Sequence, residues 1–286
     1  MMDYQRYSPT GFSLLPPVIK NLLIINGIFF LAQLTISKVY HIQIEDYLGL
    51  RYFLSDSFQV YQLVTYMFLH SPANISHLLF NMLALWMFGY LLENIWGSKR
   101  FLTYYMITGM GAGLVHYAVF YFEINPFVTQ INQFLSNPDL ASLNSFIGGH
   151  TFQIGKYSGQ IYNDFMVFQR DYRLLTLDEN NRVAMQGAVS FLAEYKQYLL
   201  GLPNVIGASG AVFGILLAFG MMFPNMYIYI YFLFPIKAKY FVILYGVIEL
   251  VSGFVDAGGN VAHFAHLGGM VFGFFLIMAW RKNRRL

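Results

Sequence analysis

The stretch VIGASGAVFGILLAFGMMF, from Val205 to Phe223, contains no charged residue, and a single serine, Ser209, stands near its start. A helix crosses a bilayer with about 20 apolar residues, roughly 17 to 25, so this run predicts a membrane span entered at Ser209. Gly210 and Gly214 lie four residues apart and make a small-residue face of the kind that lets helix backbones approach closely. Five further runs read the same way: Val18 to Ile36, His77 to Leu92, Phe101 to Phe122, Tyr240 to Phe254 and Val261 to Trp280. The second and fifth of the six spans in chain order are short. Met226 to Phe234 is also apolar but is closed by Pro235, and it reads as an interfacial segment with its tyrosines at headgroup depth.

Composition agrees with the spans. Of 286 residues, 57% are hydrophobic and 11% charged, and mean hydropathy is +0.50. Soluble chains carry about 25% charged residues, so this chain has too few to cover a globular surface. Disordered, collagen-like and disulfide-framework classes are excluded by the same figures. Cysteine is absent, which removes disulfides, thiol nucleophiles and cysteine metal sites. A net charge of +3 gives no nucleic-acid surface. Met1 to Ser13 is polar and shows no cleavable signal peptide.

Lysine and arginine in short loops set the orientation. With the N-terminus inside, the inner segments hold Arg6, Lys20, Lys99, Arg100, Lys237, Lys239, Arg281, Lys282, Arg284 and Arg285. The short outer loops hold Lys38 and Arg51. Both termini are therefore expected in the cytoplasm of a multi-pass cell-membrane protein. The expected layout is a cytoplasmic segment at 1–17, a membrane domain at 18–280 and a basic cytoplasmic tail at 281–286. An extracytoplasmic insertion at 123–204 interrupts the membrane domain and holds 12 charged residues. Asn125-Pro126, Asn137-Pro138, Gly148-Gly149 and Gly155 punctuate its first half and predict short elements there. Arg182 to Leu200 places Val183, Ala184, Ala188, Phe191, Leu192, Tyr195 and Leu199 near one helical face, which fits a membrane-surface helix or a small cap.

Polar side chains inside spans are costly and usually have a purpose. His77 and Asn81 share a face at i, i+4 spacing, either as an interhelix contact or as hydrogen-bond donors. Ser209 opens its helix, where free N–H groups and the positive dipole end gather, as an oxyanion requires; packing alone also explains the glycines around it. His266, with Gly269 and Gly273 following, gives the last span a matching small face. Spans four and six can therefore touch and bring a histidine to the serine. His263 lies one turn nearer the outer surface and reads as a structural or rim residue.

Taken together, these residues resemble the rhomboid family of intramembrane serine proteases. The resemblance rests on Phe68-Leu-His70 with His77-xxx-Asn81, on Gly207-Ala-Ser-Gly-Ala211, and on Ala265-His266-xx-Gly269-xxx-Gly273. Glu93-Asn-Ile-Trp-Gly97-Ser-xx-Arg100 is similar to the family's Glu/Gly turn. The resemblance implies an all-α bundle of six transmembrane helices, with a long extracytoplasmic insertion between helices 3 and 4. It implies Ser209 as nucleophile, His266 as general base, and an oxyanion hole of His77, Asn81 and the Ser209 N–H. It further implies transmembrane protein substrates, cut near their outer ends without ATP, metal or other cofactor. Two departures stand out: about 80 residues replace a usually short outer loop, and Tyr61 stands where tryptophan is frequent.

Other classes fit less well. No His-Glu-xx-His helix supports a metalloprotease; Glu249 and Asp256 lie on another span and a loop. Asp256 reads as an ordinary loop carboxylate. The spans lack the facing acidic pair of an aspartyl protease. No inverted repeat marks a transporter. A non-catalytic rhomboid-like protein that binds membrane-protein clients is the alternative.

Overall fold

A computed structural model describes residues 11–155, 158–202, 204–230, 233–255 and 263–282; Asp256 lies outside them. The described chain is mostly helical. In order it forms α1 (Pro17–Tyr40), α2 (Glu45–Leu48), α3 (Gln62–Thr65), a 3-10 turn at Tyr66–Phe68, α4 (Ile75–Trp96), α5 (Ser98–Ser136), α6 (Leu140–Gly149), α7 (Gln160–Leu177), α8 (Arg182–Gly201) and α9 (Ser209–Met222). The strands β1 (Tyr227–Ile230) and β2 (Phe234–Lys237) follow, then α10 (Ala238–Val255) and α11 (His263–Lys282). The described chain divides into two compact units, one within Met1–Leu50, Val60–His116 and Val205–Leu286, the other within Arg51–Gln59 and Tyr117–Asn204.

In the first unit, α1, α4, α10 and α11 are, among the described residues, the helices long and apolar enough to cross a membrane. Helix α9 is equally apolar but has 14 residues, about 21 Å at 1.5 Å per residue, against a hydrocarbon core of roughly 30 Å. Of the expected fourth span, 205–208 is not helical, and α9 begins at Ser209. The entering backbone is satisfied within the protein, as lipid demands. Leu50 and Val205 exchange two backbone hydrogen bonds of 2.9 and 3.0 Å, and Gly207 N–H donates to Tyr66 O at 2.9 Å.

Glycine sets how closely α9 and α11 pack. A methyl group on Gly269 would overlap the Gly210 carbonyl, so the two backbones touch there. The other two glycines of the expected paired faces turn elsewhere: Gly214 packs on Thr108 and Gly273 on Tyr104, both of α5. The Tyr104 hydroxyl also donates to Gly214 O at 2.8 Å. Two helices of the expected six-span order thereby share α5 as a common neighbour.

Polar residues staple the rest of this unit. Glu93, 2% exposed, accepts from the Val18 and Ile19 N–H groups at 2.9 and 2.8 Å and from the Ser98 hydroxyl at 2.6 Å. Its carboxylate thus meets two of the orphan donors at the positive end of α1, while Gly97 makes the following turn with φ +79°. Gln33 of α1 donates to His70 O at 3.0 Å and accepts from His70 N–H at 3.1 Å, fixing the chain just before α4.

Neither of two prolines acts as the stop that the sequence suggests. Met226 to Phe234, expected in the interface, is not closed by Pro235: β1 and β2 pair antiparallel, with Tyr229 opposite Pro235. Pro235 has no N–H for the ladder and is tolerated because a two-stranded ribbon has only edge strands. Asn125-Pro126 does not break the chain either, since α5 continues through Pro126 to Ser136. A helical proline costs the one hydrogen bond its nitrogen would make, and here the surrounding helix is kept.

The second unit has its own core. Ile131, Phe134, Leu143, Phe146, Phe168, Leu192 and Tyr195 are among the residues that pack together, from the end of α5 and from α6, α7 and α8. Side chains of Asp139 and Asn181 cap α6 and α8. The expected apolar face of α8 is buried at Ala184, Ala188, Phe191, Leu192, Tyr195 and Leu199, but Val183 is 84% exposed. Val183 lies on the same side of the helix as the exposed Ser190, Glu194 and Gln197, off the face that meets the core.

His150 gives this core a pH dependence. Burial holds its pKa below the ordinary 6.5, and burial pushes the Tyr195 phenol up to about 12. Tyr195 therefore donates its O–H to His150 Nε2 at 2.6 Å and accepts from Gln153 N–H at 3.3 Å. A base with a lowered folded pKa is neutral in both states above 6.5; below it the unfolded chain takes up the proton first, so stability is lost as pH falls. Limited proteolysis within 123–204 is expected to accelerate from pH 7.5 to 5, and His150→Phe is expected to abolish that pH dependence. An unchanged pH response in His150→Phe would assign it to other groups.

Candidate active site

Ser209 is the first residue of α9, and its N–H is among those left free at the helix start. Gly207, two residues ahead of it, has φ +130°, a region that side chains rarely adopt. That backbone turn brings the chain off Tyr66 O and into the helix within two residues. Tight α9–α11 contact at Gly210 and Gly269 then sets Ser209 opposite His266, one turn before Gly269. His266 Nε2 lies 2.8 Å from Ser209 Oγ.

The imidazole is held on three sides. Phe213, one turn into α9, stacks on it at 4.4 Å between centroids with the rings 4° from parallel. Its Nδ1 lies 2.8 Å from Oε2 of Glu249 on α10. The same oxygen is 2.8 Å from His263 Nδ1. Glu249 is buried, and the His263 and His266 side chains are 15% and 12% exposed.

Of the other expected site residues, His77 lies beside this centre, and Asn81 is tied to the backbone of His77. His77 stands beside Gly207: a methyl built there would be 3.1 Å from both Cε1 and Nε2 of His77 and 3.5 Å from Ser209 Oγ. An atom in that space touches the serine oxygen and a ring nitrogen at once. His77 Nδ1 faces Ser71 N–H at 3.5 Å, and its ring meets His70 edge to face at 5.1 Å. Asn81 is 7% exposed and spends one amide proton on His77 O at 2.8 Å, which leaves its second proton as the one available to a ligand.

Gly207→Ala tests this space. The methyl group both strains a positive-φ position, at about 1–3 kcal/mol, and fills the gap between His77 and Ser209. Reaction of Ser209 with a fluorophosphonate is expected to slow at least tenfold, beyond the loss of folded protein measured by thermal unfolding. A variant that reacts at the wild-type rate would remove Gly207 and His77 from the site.

Glu249 is the residue that the sequence pattern set aside. It was separated from His263 and His266 by its place on another span, yet α10 packs against α11 and brings all three together. The signal was available: one carboxylate in an otherwise apolar run is expensive in a bilayer and asks for a partner. Among the described residues, Glu249, His263 and His266 also form a group whose ligand-type atoms lie within 4.8 Å of one another. Two ligands of tetrahedral zinc stand about 3.3 Å apart for bonds near 2.0 Å. The 2.8 Å separations here are hydrogen-bond lengths.

The helices long and apolar enough to cross a membrane make this a membrane-helix bundle, and sequence comparison gives its family. The Rhomboid domain family model matches residues 57–126 and 181–283, most of the chain outside 127–180. The chain belongs to the rhomboid family, whose members are generally intramembrane serine proteases and include inactive ones. It is a multi-pass membrane protein. No curated protein matches it.

Proposed function

We propose that this chain is an intramembrane serine endopeptidase that cuts transmembrane proteins in or near the outer end of their helices. The observation that carries this reading is the 2.8 Å contact between Ser209 Oγ and His266 Nε2, in a chain of this family. In the mechanism, the Ser209 hydroxyl donates its proton to His266 Nε2 while Oγ attacks the scissile carbonyl carbon. The resulting oxyanion accepts hydrogen bonds from the Ser209 N–H, the His77 ring and the free Asn81 proton. Collapse of the intermediate passes the proton from His266 to the leaving amine. Water, activated by the same imidazole, then releases the acyl group from Ser209.

Six spans serve this chemistry: α1, α4, the first part of α5, α9, α10 and α11, with both termini in the cytoplasm and 1–17 and 281–286 flanking the membrane domain. The shortness of α9 supports a helix that starts below the outer surface, so that Ser209 meets a substrate helix at depth. Residues 123–204 form the extracytoplasmic insertion; the gap in the family match at 127–180 and the separate core of α6, α7 and α8 support its being an addition. The lysine and arginine bias of the short loops supports this direction of insertion, with the site opening outward; the cell membrane is the proposed location.

The test is cleavage of a fluorogenic transmembrane substrate by protein reconstituted in liposomes. Wild type is expected to cut and Ser209→Ala to be inactive at equal thermal stability. Equal cleavage by both would remove Ser209 as nucleophile. Substrate binding without cleavage, unchanged by Ser209→Ala, would favour a client-binding protein.

A further inference from the structure

We infer that Glu249 is a positioning residue for His266, so that the site works as a Ser209–His266–Glu249 relay with His263 as its anchor. This inference rests on the assignment of Ser209 and His266 above. An ionised carboxylate only accepts hydrogen bonds. With Glu249 Oε2 at 2.8 Å from His266 Nδ1, the ring proton sits on Nδ1 and the lone pair on Nε2, which is the form that can accept the Ser209 proton. Phe213 fixes the plane of the same ring by stacking, and the carboxylate fixes its rotation within that plane. When Nε2 takes the serine proton, the imidazolium forms beside a buried anion, which stabilises it.

His263 makes the arrangement rigid. It lies one helical turn from His266 on α11 and donates from Nδ1 to the same Oε2 at 2.8 Å. Two donors from one helix converge on one oxygen of another, so the carboxylate cannot swing away from His266 without losing both. A contact that served only to hold α10 to α11 would be met by either histidine alone. It would not require a carboxylate oxygen shared with the ring that faces the serine.

The experiment compares wild type, Ser209→Ala, Glu249→Gln and Glu249→Ala, reconstituted in liposomes, for substrate turnover, fluorophosphonate labelling rate and thermal unfolding. Glutamine keeps the size and an acceptor but removes the charge. Its kcat is expected to fall at least tenfold with KM within about twofold of wild type, and labelling of Ser209 is expected to slow in parallel. Alanine is expected to fall further in kcat per folded molecule. A folded Glu249→Gln or Glu249→Ala with kcat within twofold of wild type would overturn the relay and leave the Ser209 reading intact. Turnover or labelling that survives Ser209→Ala would overturn the protease reading itself. Wild-type activity lost on treatment with a chelator and restored by zinc alone would also overturn the relay, because the carboxylate and the two histidines would then be metal ligands.

Discussion

His266→Phe is expected to lower turnover by about 10³-fold or more while leaving the protein folded. Phenylalanine keeps a flat ring to stack on Phe213, now 4.4 Å from the imidazole, and keeps most of the buried volume. It removes the nitrogen that lies 2.8 Å from Ser209 Oγ. A serine hydroxyl without a base is a weak nucleophile at neutral pH, and loss of the base in serine hydrolases costs factors of this order or larger. Glu249 retains His263 as a donor, so the substitution does not strand the buried carboxylate. Turnover per folded molecule separates the chemical loss from any loss of stability. A His266→Phe protein within tenfold of wild type would place the general base elsewhere.

Gly269→Ala is expected to have the largest effect on folding. The added methyl would overlap the carbonyl of Gly210, and backbone cannot move aside as a side-chain end can. Overpacking of this kind costs typically 1–3 kcal/mol and occasionally more. The upper part of that range applies, because relief requires α9 and α11 to separate along the contact that pairs Ser209 with His266. A marked fall in the unfolding temperature, with slower Ser209 labelling in whatever protein remains folded, is the expected result. A variant as stable and as reactive as wild type would mean that the helices do not meet at these glycines. Gly273→Ala is a contrasting case, since its neighbour is the Tyr104 side chain of α5 rather than backbone.

Much of this was legible in the chain because the signals are local. Apolar run length marks α1, α4, α10 and α11, and the small residues around Ser209 and His266 mark the helix pair that can approach closely. What the pattern left out depends on contacts between distant segments. The start of α9 at Ser209 was expected, but the backbone before it is satisfied by Leu50 and Tyr66, partners that no feature of 205–208 announces. Pro235 does not end the apolar run, because Phe234 to Lys237 pairs with Tyr227 to Ile230, and that pairing leaves no local signal. Helix α5 runs through Pro126 against the local breaker signal. Glu249 was visible as an expensive carboxylate, but which face of α10 it occupies is set by packing on α11, seventeen residues away in sequence. Conversely, Val183 fitted a broad apolar face of α8 and is exposed, because it sits at the edge of that face, in line with the exposed Ser190, Glu194 and Gln197.

The proposed chemistry turns on one oxygen atom, Ser209 Oγ. Peptide mass spectrometry of the reconstituted protein after fluorophosphonate treatment reads it directly. A single adduct on Ser209, formed slowly or not at all in His266→Phe, is the predicted result. An adduct on a different serine, or none on Ser209 in a folded wild-type protein, would contradict the assignment of Ser209 and His266 as nucleophile and base.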